Sequence, residues 1–353
     1  MKKIFATILC LVMILCLAAC GNTTDAKTEA PTEAKTETVY KVKFATVPAE
    51  QTAEVCSDTA WAYALTEYLE EHSGGRLVVE FYPGGQLGGQ SEYVTSASEA
   101  AIEAALINMS VLNAYDPNLM ALQIPGLYSN EEEATAILNS EYANKLYSKV
   151  ETEQNITLAG IYCNGFRSFT TNGIELKSVE DIKGYSFRVM DDPMYVAMVE
   201  ALGAIPTPMA ATEMYTAMQN GVVDGHENTI ANVLGDLTYE VQDYMILDNH
   251  TASIAVGIVS TKFLESLPKD LQVILLEGMQ YAADIAYETV TNINNEGIAT
   301  LREKGMTIYI PTEEELAEWQ AIELSATEKY VREQIGDEAV DGVKAEIEAY
   351  RGK

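Results

Sequence analysis

Short apolar strands that alternate with helices are the feature that most constrains how this chain can fold. From residue 40 to 108 the hydrophobic periodicity predicts a strand at Tyr40–Phe44, a helix at about Glu50–His72, a strand at Leu77–Tyr82, a helix ending near Ala101 and a buried strand at Ala105–Ile107. This order is typical of a doubly wound α/β domain with a mainly parallel sheet. Because ligands bind beyond the carboxyl ends of the strands in such sheets, we expect Val47, Gln86 and Asn108 near one wall of a site.

A second series of strands and helices follows and predicts a second α/β unit over about residues 165–250. A helix at about Asn130–Val150 and a strand at Ile156–Cys163 are predicted before this unit. Within the unit, the predicted elements are an extended segment at Phe166–Thr171, a strand at Tyr185–Met190, helices at about Pro193–Leu202 and Thr212–Asn220, and a short strand at Val222-Val223 before a turn at Asp224-Gly225. An apolar, β-rich run at Thr251–Ser260 then begins a return segment.

A helical pattern from about Pro268 to Lys304 is longer than an ordinary globular helix and lacks the charged heptads of a coiled coil. A helix of this length spans roughly 50 Å, so we expect it to brace two domains. A strand at Met306–Ile310 and two acidic amphipathic helices complete the chain.

The N-terminus carries an export signal. Lys2 and Lys3 precede an apolar run, and Leu17-Ala18-Ala19-Cys20 follows it, which predicts a lipoprotein signal peptide at residues 1–19 with lipidation of Cys20. An ordinary cleaved signal peptide is the alternative. Residues 20–38 contain Thr, Ala, Glu and Lys without a large apolar side chain, and they predict a flexible tether.

The remaining part, about 315 residues, is long enough for one large or two medium domains. The chain has 53 acidic and 22 basic residues, a net charge of −31, which argues against binding of nucleic acid or of anionic lipid. Cys56 and Cys163 are the cysteines left after the signal, and either one disulfide or two buried thiols is compatible with them.

The segment Ser178–Arg188 combines several local signals. Ser178 and Asp181 form a capping-box pattern that predicts a short helix, and Gly184 predicts its left-handed end. Arg188 then lies on an alternating strand and faces away from Tyr185 and its neighbours on the aromatic side. An arginine on a strand can bind a carboxylate with two parallel hydrogen bonds, although an ion pair on the strand surface is equally consistent with this segment alone.

No residue pattern indicates catalysis, a cofactor or a metal site. His72 ends a helix and His250 begins a strand, so we expect both in surface or capping roles, and the histidines and cysteines lack metal-ligand spacing. No serine or cysteine is accompanied by an evident base. The glycines of PGGQLGG lack the ending of a phosphate-binding loop.

A binding site is better supported. Arg167 and Arg188 lie on two extended segments of the second unit, and Asn228 follows Asp224 and Glu227 at the start of a helix. Two guanidinium groups and an amide could hold one carboxylate through charge-assisted hydrogen bonds once water leaves the site. We expect Glu227 to be a buried structural acceptor and not a ligand contact.

The chain resembles the solute-binding subunits of TRAP transporters, the DctP-like extracytoplasmic receptors. The resemblance extends from about Lys41 to the C-terminal helices and rests on SGGRLVVEFYPGGQLGG, NGFRSFTTN, SVEDIKGYSFRV, LGAIPTPMAATEMYTAMQNGVVDGHEN and YEVQDYMILDNH. It implies a two-lobed fold of the type II periplasmic-binding-protein class, braced by a long helix. The implied lobe I covers residues 39–164 and 254–293, and lobe II covers 165–253 and 294–353.

The resemblance also implies the function and its residues. A small organic acid, a monocarboxylate or a C4-dicarboxylate-like ligand, is captured between the lobes and delivered to membrane subunits driven by an ion gradient. The receptor is then not an enzyme and has no cofactor. Together with the N-terminal signal, this predicts a lipid-anchored monomer at the outer face of the cytoplasmic membrane. Arg188 makes the main salt bridge to the ligand carboxylate, Arg167 and Asn228 assist, and Asn108 contacts the rest of the ligand. His226 stands where the family usually has Gln, and Ala210-Ala211 argues against sialic acid.

Three alternatives remain open on the sequence. The receptor could serve an ATP-driven importer or a sensor system, the chain could be an extracellular enzyme on a two-lobed scaffold, or it could be a surface lipoprotein without a ligand. The absence of a catalytic pattern argues against the enzyme. Neighbouring genes for large and small membrane subunits would separate a TRAP receptor from the first alternative.

Overall fold

The computed structural model describes residues 38–352, and the expected alternation of strands and helices is present there. The strands are β1 (Tyr40–Ala45), β2 (Leu77–Tyr82), β3 (Ala104–Asn108), β4 (Ile156–Thr171), β5 (Ser186–Val189), β6 (Ile205–Pro208), β7 (Gly225–Asn228), β8 (Tyr244–Ile246), β9 (Thr251–Ser260) and β10 (Thr307–Tyr309).

The helices are α1 (Ser57–Ser73), α2 (Gln90–Ser98), α3 (Glu131–Leu138), α4 (Glu141–Gln154), α5 (Pro193–Ala201), α6 (Ala211–Gln219), α7 (Ile230–Gly235), α8 (Thr261–Ser266), α9 (Lys269–Glu303), α10 (Glu313–Ile335) and α11 (Glu338–Arg351). Short 3-10 helices lie at Met109–Ala114, Pro117–Leu122 and Thr238–Glu240. Within residues 38–352, no helix is both long enough and apolar enough to cross a membrane.

Two groups of parallel strands are joined by a pair of antiparallel strands. The strand order is β2-β1-β3-β9-β4-β7-β5-β6, with β8 beside β4 and β10 beside β8. Strand β1 is parallel to β2 and β3, and β5 is parallel to β6 and β7. Strand β9 is antiparallel to both β3 and β4, and the 16-residue β4 continues from β9 to β7 and β8. The β4–β9 pair therefore connects the two halves of the protein.

Strand β4 is irregular at two glycines. Its register with β9 shifts between Leu158 and Ile161 and again between Cys163 and Phe166. Gly160 and Gly165 lie in these gaps with φ values of 74° and 91°, a backbone conformation that other residues adopt at a cost. A Cβ atom on Gly165 would also lie 2.5 Å from the amide nitrogen of Asn294 on α9.

The long helix predicted at about Pro268–Lys304 is confirmed as α9, which has 35 residues. Its N-terminal half packs along α1, where Gly278 lets Leu65 and Leu69 approach closely. Further along it crosses β4 and packs on α7, where Gly297 faces Ile230. Small residues therefore allow one helix to contact both halves of the protein.

Several local predictions were wrong. Helix α1 begins at Ser57, not near Glu50, and the helix expected at about Asn130–Val150 is two helices, because the Ser140 hydroxyl accepts a hydrogen bond from the Ala143 N–H and starts α4. Ser178 and Asp181 do bond to each other, but they close turns and no helix follows; Gly184 has the expected left-handed φ of 79°.

The strand predicted at Val222-Val223 lies instead at Gly225–Asn228, as β7, and Val222 is 62% exposed. Gly225, expected in a turn, opens that strand because its bare Cα lies against the Thr170 carbonyl; a Cβ there would be 2.1 Å from the oxygen. Cys56 and Cys163 are buried free thiols, so the disulfide alternative is excluded.

Candidate ligand-binding site

The four residues predicted to bind ligand line one cavity of about 340 Å³: Arg188, Arg167, Asn228 and Asn108. The cavity lies at the carboxyl ends of strands from both halves of the protein, because Asn108 ends β3 and Asn228 ends β7. Val47 lines it as expected. Gln86 does not; the nearby Gln90 does, and its side-chain oxygen accepts a hydrogen bond from the Asn108 N–H at 2.8 Å.

Arg188 is buried in the cavity wall, with 3% of the residue exposed. Its register in β5 places it between Thr207 of β6 and His226 of β7. Its Nε and Nη2 donate to the Met209 carbonyl oxygen at 3.1 and 2.8 Å, and no carboxylate of residues 38–352 forms an ion pair with it. Burial lowers the pKa of Arg188 to about 10, so the guanidinium is still charged at neutral pH.

His226 adjoins Arg188 and is fully buried. Neither of its ring nitrogens has a hydrogen-bond partner among the described residues. Burial, together with the positive charge of Arg188, lowers the pKa of His226 to about 3. A neutral histidine here adds no charge beside the guanidinium.

Arg167 is as deeply buried as Arg188, but its charge is already paired. Its Nε donates to Oε2 of Glu227, and its Nη2 donates to Oε1 at 2.9 Å and to the Glu227 carbonyl oxygen at 2.6 Å. Burial disfavours the charged form of Glu227, but the positive charge of Arg167 outweighs this effect and lowers the pKa of Glu227 to about 2. Glu227 is therefore the buried structural acceptor that the sequence predicted, and it holds Arg167 in the cavity wall.

The pair continues into a buried network behind the cavity. His250 Nε2 lies 3.2 Å from Oε2 of Glu227, and its Nδ1 lies 2.5 Å from Oδ2 of Asp248. Burial opposes protonation, but the Asp248 carboxylate outweighs it and raises the pKa of His250 to about 10. The prediction that His250 is at the surface was wrong, because the fold buries it completely between Asp248, two residues before it, and Glu227 of β7.

Glu323 of α10 lies beside this network with no exposed surface, and neither of its carboxyl oxygens has a hydrogen-bond partner among the described residues. Burial and the Asp248 charge raise the pKa of Glu323 well above its usual value, which favours the protonated form of its carboxyl group. Asp248, His250 and Glu323 are close enough to share a metal ion. Since both ring nitrogens of His250 already bond to carboxylates, we interpret Asp248, His250 and Glu227 as a hydrogen-bonded network that supports Arg167.

The two predicted asparagines differ in what they can still bind. Oδ1 of Asn228 accepts from the Thr229 N–H and from the Asn232 side chain, while its Nδ2 has no partner within the described part of the chain. Asn108 Nδ2 donates to the Ser253 hydroxyl at 3.0 Å, and its Oδ1 accepts from the Ser110 N–H at 3.0 Å. Asn228 thus offers an open donor to the cavity, whereas both side-chain groups of Asn108 brace the wall.

Sequence reasoning missed further polar residues that line the cavity. Asn232 and Asn164 continue a chain of amide hydrogen bonds from Asn228, with Asn164 donating to Asn232 at 2.8 Å. The spacing of Asn228 and Asn232, one helical turn, was an available signal. Asp58 and Asp236 also line the cavity, and no local pattern marked them.

Two α/β halves joined by crossing strands, braced by one long helix and sharing a polar cavity with a buried arginine, define a two-lobed solute-binding protein. Comparison with known proteins gives the family. Residues 51–334 match the family described as DctP, bacterial extracellular solute-binding protein, family 7. The chain belongs to this family, whose members are the solute-binding subunits of TRAP transporters and act outside the cytoplasm.

Individual relatives agree with this assignment. The chain is 29% identical over 308 residues to the C4-dicarboxylate-binding periplasmic protein DctP of Rhodobacter capsulatus, covering 86% of this chain and 90% of that protein. A crystal structure of a TRAP solute-binding protein from Roseobacter denitrificans with bound L-galactonate is 25% identical, with a TM-score of 0.79 over 86% of this chain and 98% of that one.

A third match concerns the fold alone. The sugar acid binding protein DctPAm from Advenella mimigardefordensis, crystallised in complex with galactonate, is 23% identical with a TM-score of 0.83. It covers 88% of this chain and 99% of the crystallised chain. The two-lobed architecture expected from the sequence is confirmed.

Proposed function

We propose that this receptor captures a small organic acid through a salt bridge between Arg188 and a ligand carboxylate, and delivers it to ion-gradient-driven TRAP membrane subunits. The observation that carries the proposal is a buried guanidinium without a carboxylate partner in residues 38–352. Burying a charge is costly unless it is paired, so the site is most stable when an anion occupies it. The relative that binds C4-dicarboxylates and the neighbour that holds L-galactonate support a carboxylate as that anion.

Asn228 and Arg167 have secondary roles in this proposal. The free Nδ2 of Asn228 donates to the same carboxylate, while Arg167 contributes positive potential but keeps its bonds to Glu227. Asn108 lies in the cavity wall. Because its amide group is already hydrogen-bonded within the protein, it contacts the rest of the ligand by van der Waals packing. The ligand carboxylate is therefore held mainly by one arginine.

We also propose that the lobes divide as the sequence predicted, at residues 164/165, 253/254 and 293/294. The first boundary coincides with the irregular part of β4 at Gly165. Asn294, beside the third boundary, packs against that glycine. A bulged strand under a helix contact is a suitable place for bending, and ligand contacts from both lobes would favour the closed state.

Anchoring and partners follow from the N-terminus, which lies outside the described residues. We propose that residues 1–19 are a lipoprotein signal peptide, that Cys20 carries lipid, and that residues 20–38 tether the receptor as a monomer to the outer face of the cytoplasmic membrane. Labelling with a radioactive fatty acid, lost in a Cys20→Ala variant, tests the anchor. Label retained by that variant would contradict it.

A thermal-shift screen of organic acids tests the function. A ligand at 100 times its dissociation constant stabilises the folded state by about 2.7 kcal/mol, which is a readily measured rise in Tm. We expect one or more small carboxylates to raise the Tm of the wild-type protein and to leave an Arg188→Met variant unchanged. A screen in which no carboxylate stabilises the wild type would contradict the proposal.

A further inference from the structure

Beyond the arginines, the cavity contains two carboxylates that the proposed salt bridge does not use. Asp58 lies in the first turn of α1, and Asp236 directly follows α7, so they come from opposite halves of the protein. Both side chains are partly buried. Asp191 also lines the cavity but is exposed at its rim.

Neither carboxylate has a hydrogen-bond or ion-pair partner in the part of the chain that the structure describes. Burial raises the pKa of Asp236 to about 6, and burial together with repulsion from Asp236 raises the pKa of Asp58 to about 7. Asp236 is near enough to Arg188 and Arg167 for their charges to act on it, whereas Asp58 responds to Asp236 alone. Of the two carboxylates, Asp236 is therefore the one that the arginines influence.

Other groups in the cavity indicate a ligand independently of these carboxylates. Arg188 is 97% buried without a carboxylate partner among residues 38–352, and the buried Asn228 has an amide nitrogen that donates to no described residue. The cavity thus supplies donors at Arg188 and Asn228 and acceptors at Asp58 and Asp236.

We propose that Asp58 and Asp236 are specificity-determining residues that accept hydrogen bonds from the end of the ligand remote from its carboxylate. The preferred ligand is a monocarboxylate whose other end carries hydroxyl or ammonium groups, and a second carboxylate at that end is rejected. This inference rests on the proposed function, because it presumes a carboxylate at Arg188.

The physical reason is the match of charges on desolvation. A second ligand carboxylate would lie beside Asp236 and Asp58, and neither arginine acts on the charge of Asp58. Like charges in an interface are strongly unfavourable. Hydroxyl groups would satisfy the acceptor oxygens, and an ammonium group would also neutralise their charge. Both kinds of ligand share the chemistry of a donor-rich end.

Matched ligands test the inference by isothermal titration calorimetry at pH 8, above the pKa values of both carboxyl groups. Galactonate and galactarate differ in whether the remote end is a hydroxymethyl or a carboxylate group, and 4-hydroxybutyrate, 4-aminobutyrate and succinate form a shorter series. The series is chosen by the length of the carboxylates that stabilise the protein in the screen above. We expect the hydroxyl or ammonium ligand to bind at least about 10-fold more tightly than its dicarboxylate counterpart.

Variants locate the effect. Asp58→Asn and Asp236→Asn keep the shape of the side chain and remove its charge, and we expect them together to reduce the preference at least about 10-fold. Asp284→Asn, at an exposed aspartate of α9 outside the cavity, is the matched control and should leave the preference unchanged. The ratio between hydroxyl and ammonium ligands tells which donor the site prefers.

Two results would overturn the inference. One is a dicarboxylate that binds as tightly as its donor-bearing counterpart. The other is a preference that survives both asparagine substitutions. In either case carboxylates would still bind through Arg188, so the proposed function would stand; a protein that no carboxylate stabilises would instead contradict the function itself.

Discussion

Arg167 and Arg188 are two arginines of the same cavity, equally buried, that have opposite surroundings. Arg167 is held by three hydrogen bonds to Glu227, and Glu227 is in turn bound by His250. Arg188 has only the Met209 carbonyl oxygen as a partner in the described structure. Pairing, and not burial, therefore separates an arginine that maintains the fold from one that is available to a ligand.

The comparison extends to the pKa values of the two side chains. Glu227 outweighs the cost of burial and raises the pKa of Arg167, whereas burial dominates at Arg188 and lowers its pKa. The first arginine is stabilised in its charged form by the protein alone. The charged form of Arg188 would gain comparable stabilisation only from a bound anion.

The largest effect is expected from Arg167→Met. Removing Arg167 breaks a buried ion pair and leaves the Glu227 carboxylate with His250 as its remaining charged partner, so we expect a loss of about 3–5 kcal/mol in the free energy of unfolding. Urea denaturation followed by circular dichroism measures it. The double variant Arg167→Met, Glu227→Gln should recover part of the loss; equal losses in the single and double variants would show that the pair is not coupled.

Arg188→Met should have the reverse profile. We expect ligand affinity to fall by about 2–5 kcal/mol, roughly 30- to 5,000-fold, because the ligand carboxylate loses its partner. Stability of the ligand-free protein should hardly change, since the variant also removes an unpaired buried charge. Calorimetry with the ligand from the screen gives the first value and denaturation the second; unchanged affinity would reject Arg188 as the carboxylate partner.

The two buried glutamates behind Arg167 sharpen the comparison. Glu227 is ionised, so Glu227→Gln should destabilise the protein by about 3 kcal/mol or more. At Glu323 burial raises the pKa and favours the neutral acid, so Glu323→Gln keeps a neutral group of the same shape and should cost less than about 1 kcal/mol. Denaturation of both variants at pH 7 provides the measurement, and a large loss in Glu323→Gln would mean that this carboxyl group is charged.

The smallest expected effect is a pH dependence of stability. Asp58 and Asp236 have raised pKa values, so their contribution is present at low pH and is lost as the pH rises towards about 7. His250 adds stability that is lost as the pH approaches about 10, and Glu227 adds stability that is lost in acid, towards about pH 2. The Tm of the ligand-free protein should therefore be highest near pH 5 and fall towards pH 8.

The double variant Asp58→Asn, Asp236→Asn isolates the cavity carboxylates in that profile. We expect a flatter Tm curve between about pH 5 and 7.5, while the decline at alkaline pH due to His250 persists. A curve parallel to that of the wild type would show that these two groups titrate normally.

Much of the fold was predictable because it rests on local periodicity. The length of α9, the apolar strand β9 and the left-handed Gly184 follow from patterns within a short stretch of sequence. The arginine on β5 was predicted in the same way. Its lack of a partner was not predictable, because that depends on which carboxylates the fold brings near it.

The errors have the same origin. His250 was placed at the surface because a histidine at the start of a strand shows no sign of burial in its local sequence. Asp248 is close in sequence, but Glu227 and Glu323 come near His250 only through the tertiary fold. Gly225 was assigned to a turn because its close approach to the Thr170 carbonyl cannot be deduced from its neighbours in sequence. Asp58 and Asp236 were missed for that reason too.

The shared β4–β9 pair has a consequence for dividing the protein. The two halves share elements that are distant in sequence. Strand β9 pairs with both β3 and β4, and α9 packs on both halves. A fragment that ends before β9 would expose the edge of β3 and leave β4 without its main partner, and unpaired strand edges promote aggregation. The halves therefore cannot be separated by truncation. Because the β4–β9 pair and α9 contribute to both halves, neither half can complete its fold before the other has been synthesised.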